Sequence, residues 1–342
     1  MSKPRKGAMI GCGRVVQDHH VPAWMQLGRS VVDRWTVADP LLQSRAAVQV
    51  QLGVPNEMAY IDYRALLLRE QPDFVVISSP HQFHETTVID CLNAGVPVLV
   101  EKPVATTLAG AERMVAVSRE AGVHLAVLHN YRWMEQARLV RRLLDEGAVG
   151  EPFLFRSERI GMYWSQGIEG YDPAWRTKES AGGGCLLDNG YHKVYLALNY
   201  LGPVASVQAR IGTFNREIEV DDTALLLLTH VNGATSSIQV AWSGSGQSVN
   251  VSEVCGRKGS ISQEDDGSVK VSCCEEVIRH TSRADAGFLE TFRRFIDMLD
   301  GRGESPATAE EAVETMRVIR AAYHSARTGT VVDVPGYREQ GA

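Results

Sequence analysis

Short apolar runs alternate with helix-like stretches along the first third of the chain. The apolar runs, which we predict to be strands, cover residues 6–10, 34–39, 74–77, 98–100 and 124–128. The intervening stretches have the length and apolar spacing of helices, and Gly53 and Gly122 stand where two of these helices would end. Continuous apolar strands separated by helices are typical of a parallel, doubly wound sheet.

Beyond about residue 128, strands dominate the pattern. We predict helices over 134–146, 184–201, 288–299 and 309–326, and strands over 152–160, 204–213, 224–230, 234–243, 248–255, 259–261 and 268–273. The prediction is therefore an α/β protein of two domains. Residues 1–128 form the doubly wound parallel sheet, and residues 129–342 form an α/β domain with a large, mainly antiparallel open sheet.

Composition excludes several classes of protein. The chain has 35 Lys and Arg against 41 Asp and Glu, a net charge of −6, which argues against a nucleic-acid partner. No apolar run approaches the roughly 18 residues of a membrane span. The first residues lack the apolar segment of a signal peptide. We therefore expect a cytoplasmic protein with no membrane partner.

Cysteine and histidine spacings do not predict a metal site. The six Cys form no CxxC or Cys/His ligand pattern, and they are expected to be reduced thiols. His19-His20 and His81…His84 are adjacent or closely spaced, but no carboxylate or Cys completes a ligand set. We therefore predict no metal.

A glycine-rich loop, Gly11-Cys12-Gly13-Arg14-Val15, follows the first predicted strand and opens a helix. Two glycines permit a tight turn whose backbone N–H groups can approach a pyrophosphate. Asp39 follows the second strand, where a carboxylate can bind the ribose hydroxyls and repel a 2′-phosphate. The unit therefore predicts NAD as cofactor, with NADP disfavoured despite the nearby Arg45. An unrelated loop on a flavodoxin-like sheet is the alternative.

Glu101-Lys102-Pro103 comes directly after the predicted strand 98–100. Ligands bind at the carboxyl ends of the strands in such sheets. Pro103 keeps Lys102 out of helical geometry, so its side chain can point towards a cofactor. The alternative is an exposed lysine paired with Glu101.

A second group of polar residues lies on the predicted helix 184–201. Asp188 and His192 are four residues apart, and on an α-helix they share a face. An aspartate that orients an imidazole makes it a better base, and Gly190 leaves space between them. A surface pair or a buried, hydrogen-bonded histidine would explain the same spacing.

Taken together, these segments resemble the glucose–fructose oxidoreductase / inositol dehydrogenase (Gfo/Idh/MocA) family along nearly the whole chain. The resemblance rests on Gly11-Cys12-Gly13-Arg14, Ser79-Pro80 with His84, Glu101-Lys102-Pro103, Asn130 with Arg132, Trp175-Arg176, and Gly182-Gly183-Gly184 followed by Asp188 and His192. It implies a Rossmann domain and a second α/β domain whose open sheet often forms a subunit interface.

The same resemblance implies roles for individual residues. Lys102, Asp188 and His192 would be the catalytic trio. The nicotinamide side of the cofactor would be lined by Ser79, Pro80, His81, His84, Glu101, Asn130, Trp175 and Arg176. One position departs from the family, because Tyr195 stands where an acid often follows the histidine, with Lys193 beside the histidine.

The expected reaction is NAD-dependent oxidation of a secondary hydroxyl in a sugar, a cyclitol or an aminoglycoside-like compound. His192 would take the hydroxyl proton and Lys102 would stabilise the substrate oxygen. Substrate contacts are expected from Lys102, Tyr163, Trp164, Asp188, Asn189 and His192, since the segment 161–184 is rich in aromatic and polar residues.

Two other functions stay open at this point. The chain could be a non-catalytic dinucleotide sensor, although a sensor has no need of a base and its orienting acid. It could also be an NAD-using enzyme that cleaves glycosides, with Tyr163 or Tyr195 as a further acid or base.

The predicted second sheet has apolar residues for two faces. The helices 184–201, 288–299 and 309–326 are expected to cover one of them, while the pattern at Ser236, Ser237, Gln239 and Ser243 also permits a polar outer face. An uncovered apolar face would favour a homo-dimer or homo-tetramer joined through this sheet.

Overall fold

The structure is a computed structural model that describes residues 4–161, 173–215, 218–244, 246, 248–264, 266–273, 276–280 and 286–339. The chain divides into two compact units. The first comprises Met1–Asn130 and Ala286–Val313, and the second comprises Tyr131–Asp285 and Glu314–Ala342. The sequence pattern had assigned all of 129–342 to one domain, so the first unit contains a late segment of the chain that the pattern did not place there.

The first unit is built on a parallel sheet, which confirms the predicted doubly wound fold. Its described strands lie in the order β3-β2-β1-β4-β5-β6, with parallel pairing throughout. Their bounds are β1 Arg5–Ile10, β2 Val32–Ala38, β3 Ala59–Tyr60, β4 Phe74–Ile77, β5 Val98–Val100 and β6 Leu125–Val127. The short strand β3, absent from the prediction, adds an edge beside β2.

Helices connect these strands, and side-chain caps and glycines mark several of the helix ends. Their bounds are α1 Val21–Leu27, α2 Leu42–Leu52, α3 Tyr63–Glu70, α4 His84–Asn93 and α5 Leu108–Ala121. Side chains cap the first turns of α3 and α5, since Asp62 accepts from Arg64 N and Thr107 accepts from Gly110 N. Gly53 and Gly122 end α2 and α5 in the left-handed conformation.

The first predicted helix begins differently from the expectation. Residues Val16–His20 form a π-helical turn that runs directly into α1. A π-turn holds one residue more per turn than an α-helix, so the side chains of this turn leave the expected α-helical face. His20 is fully buried, and its ring contacts those of Phe288 and Phe292.

The second unit is built on a mixed, mainly antiparallel sheet. Its described strands lie in the order β14-β13-β12-β11-β7-β10-β9-β8-β15, and the pair β7 and β10 is parallel. The bounds are β7 Pro152–Ile160, β8 Val204–Gly212, β9 Thr223–His230, β10 Thr235–Ala241, β11 Val249–Gly256, β12 Gly259–Gln263, β13 Val269–Cys273, β14 Glu276–His280 and β15 Val332–Asp333. The large open sheet that the sequence predicted is confirmed.

Two helices of this unit, α6 (Glu135–Asp145) and α7 (Tyr191–Leu201), lie against the sheet's inner face. Before α7, Leu186–Gly190 forms a second π-helical turn. Gly190 lies close to its neighbours, because a Cβ there would be 2.7 Å from Leu186 Cδ1. The predicted helix 184–201 is thus a π-turn followed by an α-helix.

The helix α8 (Phe288–Leu299) packs in the first unit, so the expectation that it covers the second sheet is wrong. Phe288, Phe292 and Phe295 are buried in the same core as Trp24, whose ring stacks on Phe292 with centroids 4.3 Å apart. The apolar face of α8 is therefore used by the parallel-sheet unit. The unit boundary at Val313 falls within the following helix, α9 (Ala309–Thr328).

The outer face of the second sheet exposes apolar side chains. On β9, Leu226 and Leu228 are buried while Leu225 and Leu227 are 46% and 49% exposed. Ser236, which the pattern had placed among possible outward polar residues, is instead buried, and its hydroxyl lies 2.7 Å from His230 Nε2. Residues on this outer face mix exposed leucines with polar neighbours such as Gln239, which lies opposite Leu225.

Candidate active site

The glycine loop lies against the end of β4. Gly11 has a φ of 87°, which favours glycine, and a Cβ there would lie 2.6 Å from the backbone of Ser78 and Ser79. Only a residue without a side chain fits between the two loops. This close approach brings the loop after β1 and the loop after β4 together at the carboxyl edge of the sheet, where such folds bind dinucleotides.

Asp39 holds the glycine loop in place. Its Oδ2 accepts from Cys12 N at 2.7 Å and its Oδ1 accepts from Leu41 N at 2.7 Å. The guanidinium of Arg45 donates to the backbone carbonyl of Asp39, so this cation supports the loop. Each carboxylate oxygen can accept a second hydrogen bond, so these contacts are compatible with the predicted binding of ribose hydroxyls.

The other residues of the loop contribute in different ways. Burial, with Asp39 as a smaller influence, raises the pKa of the Cys12 thiol, so Cys12 contributes its backbone rather than a thiolate. The exposed Arg14 pairs with Asp18, and Val15 packs on the core beside Gly13.

A buried histidine joins two loops at the same edge of the sheet. The ring of His84 is fully buried, with Nε2 2.8 Å from Ser79 O and Nδ1 2.8 Å from Pro103 O. It therefore connects the loop Ser79-Pro80 to the loop that follows β5. His81 lies near it, with ring centroids 5.7 Å apart. His84 thus positions the predicted cofactor loops by holding their backbone.

The hydroxyl of Ser79 is a polar group to which a bound ligand would supply a hydrogen-bond partner. Ser79 Oγ is buried and has no hydrogen-bond partner among the described residues. Buried polar atoms in native proteins are nearly always hydrogen-bonded. Together with the glycine loop and Asp39, this hydroxyl gives the edge the donors and acceptors that a dinucleotide needs, so the residues present fit NAD.

Glu101 is buried and binds a histidine that sequence reasoning did not pair with it. His20 Nε2 lies 2.9 Å from Glu101 Oε1, and Lys102 N donates to Oε2 at 3.0 Å. Burial acts to raise the pKa of Glu101, but the hydrogen bond and charge of His20, followed by the charge of Lys102, lower it below its usual value. Glu101 is thus an ionised carboxylate inside the first unit.

Lys102 follows Glu101 at the end of β5 and is half-buried, with a cis peptide bond to Pro103. Asn130, predicted beside the nicotinamide, donates from Nδ2 to Ala286 O at 2.8 Å. The described contact of Asn130 therefore links the chain where it leaves the first unit to the point where it returns.

The second unit contributes the predicted acid and base. Asp188 lies in the π-turn and His192 on the first turn of α7, and both are buried. Asp188 Oδ2 lies 3.4 Å from Arg176 Nε, and the Arg176 guanidinium covers the Trp175 ring at 5.1 Å. Arg176, predicted beside the cofactor, is therefore an ion-pair partner of Asp188.

The phenol of Tyr195 is hydrogen-bonded to Nδ1 of His192. Tyr195 Oη lies 2.8 Å from Nδ1, and the same oxygen accepts from Tyr131 N at 3.0 Å. The Tyr131 ring stacks on the imidazole, with centroids 3.9 Å apart and planes 13° apart. The imidazole is thus held by a hydrogen bond at its edge and by an aromatic ring on its face.

The structure describes some of the predicted substrate residues and not others. Asn189 Oδ1 accepts from Trp242 Nε1, which ties the π-turn to the residue after β10. The predictions for Tyr163 and Trp164 lie outside the described residues. Lys102 belongs to the first unit, and Asp188, Asn189 and His192 belong to the second.

Three contacts of the candidate site residues were not predicted from the sequence. Tyr195 lies three residues after His192, a spacing that places both on one helical face, so this contact could have been predicted. Tyr131 and His20 could not, because each meets its partner across at least 61 residues of chain (192 minus 131, and 101 minus 20). No local spacing rule reaches that far.

Two further observations concern the described residues alone. They contain no group of three or more His, Cys, Asp or Glu that could hold a metal ion. Within the same ranges, no helix has both the length and the apolar character needed to cross a membrane.

The parallel sheet with its glycine loop defines the first unit as a dinucleotide-binding domain, and the class of protein is an NAD-dependent oxidoreductase. Residues 5–129 match the oxidoreductase family with an NAD-binding Rossmann fold, and residues 137–262 match the GFO/IDH/MocA C-terminal domain. The chain belongs to the GFO/IDH/MocA family, as its sequence motifs predicted.

Individual relatives match along nearly the full chain. The D-apiose dehydrogenase of Rhizobium rhizogenes is 30% identical over 96% of this chain and 97% of its own. The D-glucoside 3-dehydrogenase of Escherichia coli is 26% identical, with 97% and 98% covered. An oxidoreductase from Agrobacterium radiobacter, solved in complex with NAD+, L-tartaric acid and magnesium, has a TM-score of 0.87 at 27% identity, covering 97% of this chain and 99% of that one.

Proposed function

We propose that the protein oxidises a secondary hydroxyl group of a sugar or cyclitol to a ketone, with NAD as hydride acceptor. The observation that carries this proposal is the buried imidazole of His192, oriented through Nδ1 by Tyr195. The names of two relatives, dehydrogenases of D-apiose and of D-glucosides, support a carbohydrate as substrate.

His192 is the general base of the proposed reaction. In the proposed tautomer, Nδ1–H of His192 donates to Tyr195 Oη, the oxygen that also accepts from Tyr131 N, and the lone pair of the imidazole lies on Nε2. Nε2 then receives the hydroxyl proton of the substrate as the C–H bond breaks. The ring keeps this orientation because Tyr131 stacks on its face.

Asp188 balances the charge that forms on His192. Its carboxylate lies in the same unit, and Arg176 positions it by an ion pair. Proton transfer to the imidazole creates a cation, which a nearby carboxylate stabilises.

Lys102 completes the proposed machinery by donating a hydrogen bond to the substrate oxygen as it becomes a carbonyl. The cofactor is held by the glycine loop, Asp39 and the hydroxyl of Ser79. When bound, NAD supplies the acceptor for the hydride, a chemistry that protein side chains lack.

The test is an assay of NAD reduction with a panel that includes D-apiose, methyl D-glucosides and myo-inositol. At least one compound is expected to reduce NAD. The His192→Ala variant should then lose roughly 10²- to 10⁴-fold in kcat, the usual contribution of a general base. Its dissociation constant for NAD should stay near the wild-type value, because the imidazole acts on the substrate.

The matched control is His124→Ala, which removes an exposed histidine of the first unit. It should leave kcat unchanged. A His192→Ala enzyme with wild-type kcat would overturn the assignment of the base. Lys102→Ala should also lower kcat, and Lys102→Arg should not restore it, because a planar guanidinium places its donors differently.

The second sheet supports a further part of the proposal, a homo-oligomer joined through its outer face. Leu225 and Leu227 are about half exposed there, beside polar residues of β10. Contiguous exposed apolar surface in a soluble protein is usually covered by a partner.

A further inference from the structure

The π-turn that contains Asp188 is held at its beginning by a residue from another part of the chain. The turn covers Leu186–Gly190, and among the described residues its own N-cap residue, Cys185, supplies no side-chain cap. Instead, Leu186 N donates to Asp221 Oδ2 at 2.8 Å, and Cys185 N donates to the backbone oxygen of Asp221 at 2.8 Å. N–H groups at the start of a helix have no acceptor within it, and Asp221 supplies acceptors for two of them.

The carboxyl group of Asp221 is itself held by a residue of α9. Tyr323 Oη donates to Asp221 Oδ1 at 2.7 Å, and Cys185 Sγ lies 3.1 Å from Oδ2. Asp221 is 9% exposed, and its carboxyl group accepts in each of these hydrogen bonds. An asparagine in its place would turn an NH₂ group towards one of the donors, because only one of the two terminal atoms of an amide accepts.

Two glycines before the turn allow this close approach. Gly184 has a φ of 119°, and a Cβ there would lie 2.3 Å from Asp221 Oδ1. A Cβ at Gly183 would lie 2.0 Å from the backbone oxygen of Arg176, whose guanidinium forms the ion pair with Asp188. The glycines therefore let Asp221 and Arg176 pack directly against the segment that leads into the turn.

The turn leads directly into α7, so its position determines where the proposed acid and base lie. Asp188 N donates to Gly184 O at 3.0 Å, and His192 follows on the first turn of α7. A displacement of about 1 Å near the reacting groups of an enzyme can lower its rate by about a hundred-fold. The hydrogen bonds that fix the start of the turn are therefore expected to matter for the rate of the reaction.

We propose that Asp221 is a positioning residue for Asp188 and His192, and that Tyr323 holds its carboxyl group in place. The proposal rests on the function proposed above, in which Asp188 and His192 act on the substrate. Asp221 acts through the π-turn and takes no part in proton or hydride transfer. These four residues belong to the second unit, whereas the glycine loop proposed to hold NAD belongs to the first. Loss of the anchor should therefore lower kcat and leave the dissociation constant for NAD unchanged.

The first measurement is hydrogen–deuterium exchange of peptides from residues 182–192 in the full-length protein. Asp221→Asn should raise the exchange rate there by about two- to ten-fold, since a hydrogen bond that holds the turn is lost. Asp222→Asn, at the neighbouring buried aspartate, is the matched control. The Asp222 side chain accepts from Phe214 N and Asn215 N, so its replacement should leave these peptides unchanged.

The second measurement is kcat, counted per NAD-binding site so that unfolded protein does not contribute, with the substrate that the panel above identifies. Asp221→Asn should lower kcat by about ten- to a hundred-fold, and Asp222→Asn should leave it unchanged. Tyr323→Phe should lower kcat by about two- to ten-fold, the value of one hydrogen bond. The variant with both Asp221→Asn and Tyr323→Phe should be no slower than Asp221→Asn alone, because Tyr323 acts through Asp221.

Wild-type exchange in a folded Asp221→Asn protein, or wild-type kcat despite faster exchange, would overturn the proposal. An equal fall in kcat for Asp222→Asn would overturn it as well. If Asp221→Asn does not fold, Tyr323→Phe decides the proposal by the same two readouts, since it removes a hydroxyl and keeps the ring. A wild type that oxidises no compound of the panel would instead contradict the proposed function, and the exchange data would still decide whether Asp221 positions the turn.

Discussion

Tyr195 stands where the sequence motif of this family leads one to expect an acid, and its phenol contacts the proposed base directly. A phenol and a carboxylate differ in charge at neutral pH, although both can accept from Nδ1. In the proposed mechanism, this neutral partner leaves the stabilisation of the imidazolium to Asp188. We therefore expect the identity of this one residue to influence the pH range in which the proposed base, His192, acts.

We expect Tyr195→Phe to lower kcat by about three- to ten-fold, the value of one hydrogen bond that orients the ring. Tyr195→Asp should place a negative charge beside the imidazole, raise its pKa and move the acidic limb of the kcat/KM profile to higher pH. Both effects are read from pH–rate profiles. Tyr200→Phe, on the same helix, is the control and should leave the profile in place. Identical profiles for all four proteins would show that Tyr195 does not act on His192.

Asp39 is expected to determine the choice between NAD and NADP. Asp39→Ser should narrow the preference for NAD, because it removes both the bond to the ribose hydroxyls and the repulsion of a 2′-phosphate. The quantity to measure is the ratio of kcat/KM for the two cofactors. Asp33→Ser, at an exposed position of β2, should leave this ratio unchanged. A wild-type enzyme that uses both cofactors equally would contradict the assignment.

Asp39→Ser should also destabilise the first unit, since Cys12 N and Leu41 N lose their acceptor. The expected loss is about 1–3 kcal/mol in the free energy of unfolding. Asp39→Asn keeps one acceptor oxygen, so comparing the two variants separates the loss of the loop's support from the loss of charge.

At the scale of elements, the sequence predicted the strands and helices well where the signal is local. The caps Asp62 and Thr107 and the terminators Gly53 and Gly122 act within one turn of the chain, so their positions could be read directly. The two π-turns could not. A π-turn places one additional residue in a helix whose composition is otherwise ordinary, and nothing in Leu186–Gly190 or Val16–His20 signals it.

The placement of α8 was missed for a different reason. Its three phenylalanines predict a buried face but carry no information about which sheet they cover. The partner, Trp24, lies more than two hundred and fifty residues earlier in the chain (288 minus 24 is 264). Local periodicity predicts that one face of a helix is buried. Only the tertiary structure shows which sheet or helix that face packs against.

His20, in the π-turn before α1, contacts Glu101, which follows β5. We expect the stability that this contact gives the first unit to depend on pH. Because the pKa of Glu101 lies below its usual value of 4.5, its ionised form stabilises the folded state above that pH, and this contribution is lost as pH falls through the lowered pKa. Glu101→Gln should therefore be less stable than wild type at neutral pH, with a difference that shrinks as the pH falls below 4.5.

Urea denaturation at several pH values measures this difference. Glu304→Gln, at an exposed residue of the first unit, supplies the comparison and should show no such dependence. A difference between wild type and Glu101→Gln that stays constant with pH would show that folding does not lower the pKa of Glu101.

At the scale of the whole molecule, the exposed leucines of β9 predict self-association. Light scattering should give a mass of at least two chains of 37.5 kDa each. Leu227→Glu should shift the mass towards one chain, since it places a charge in the proposed interface. Leu68→Glu, at an exposed leucine of the first unit, should have no effect. A wild-type mass of one chain at micromolar concentration would contradict the proposal.

The hydrogen bond between Asn130 and Ala286 has a consequence for how the gene can be divided. The chain leaves the parallel-sheet unit and re-enters it at two neighbouring points, so everything between them has the connectivity of an insertion. A fragment that stops at Asn130 would lack α8 and expose Trp24 to water. A short turn joining Asn130 to Ala286, in a chain that ends near Val313, would instead retain the aromatic core, and that splice is the route to a free-standing nucleotide-binding domain.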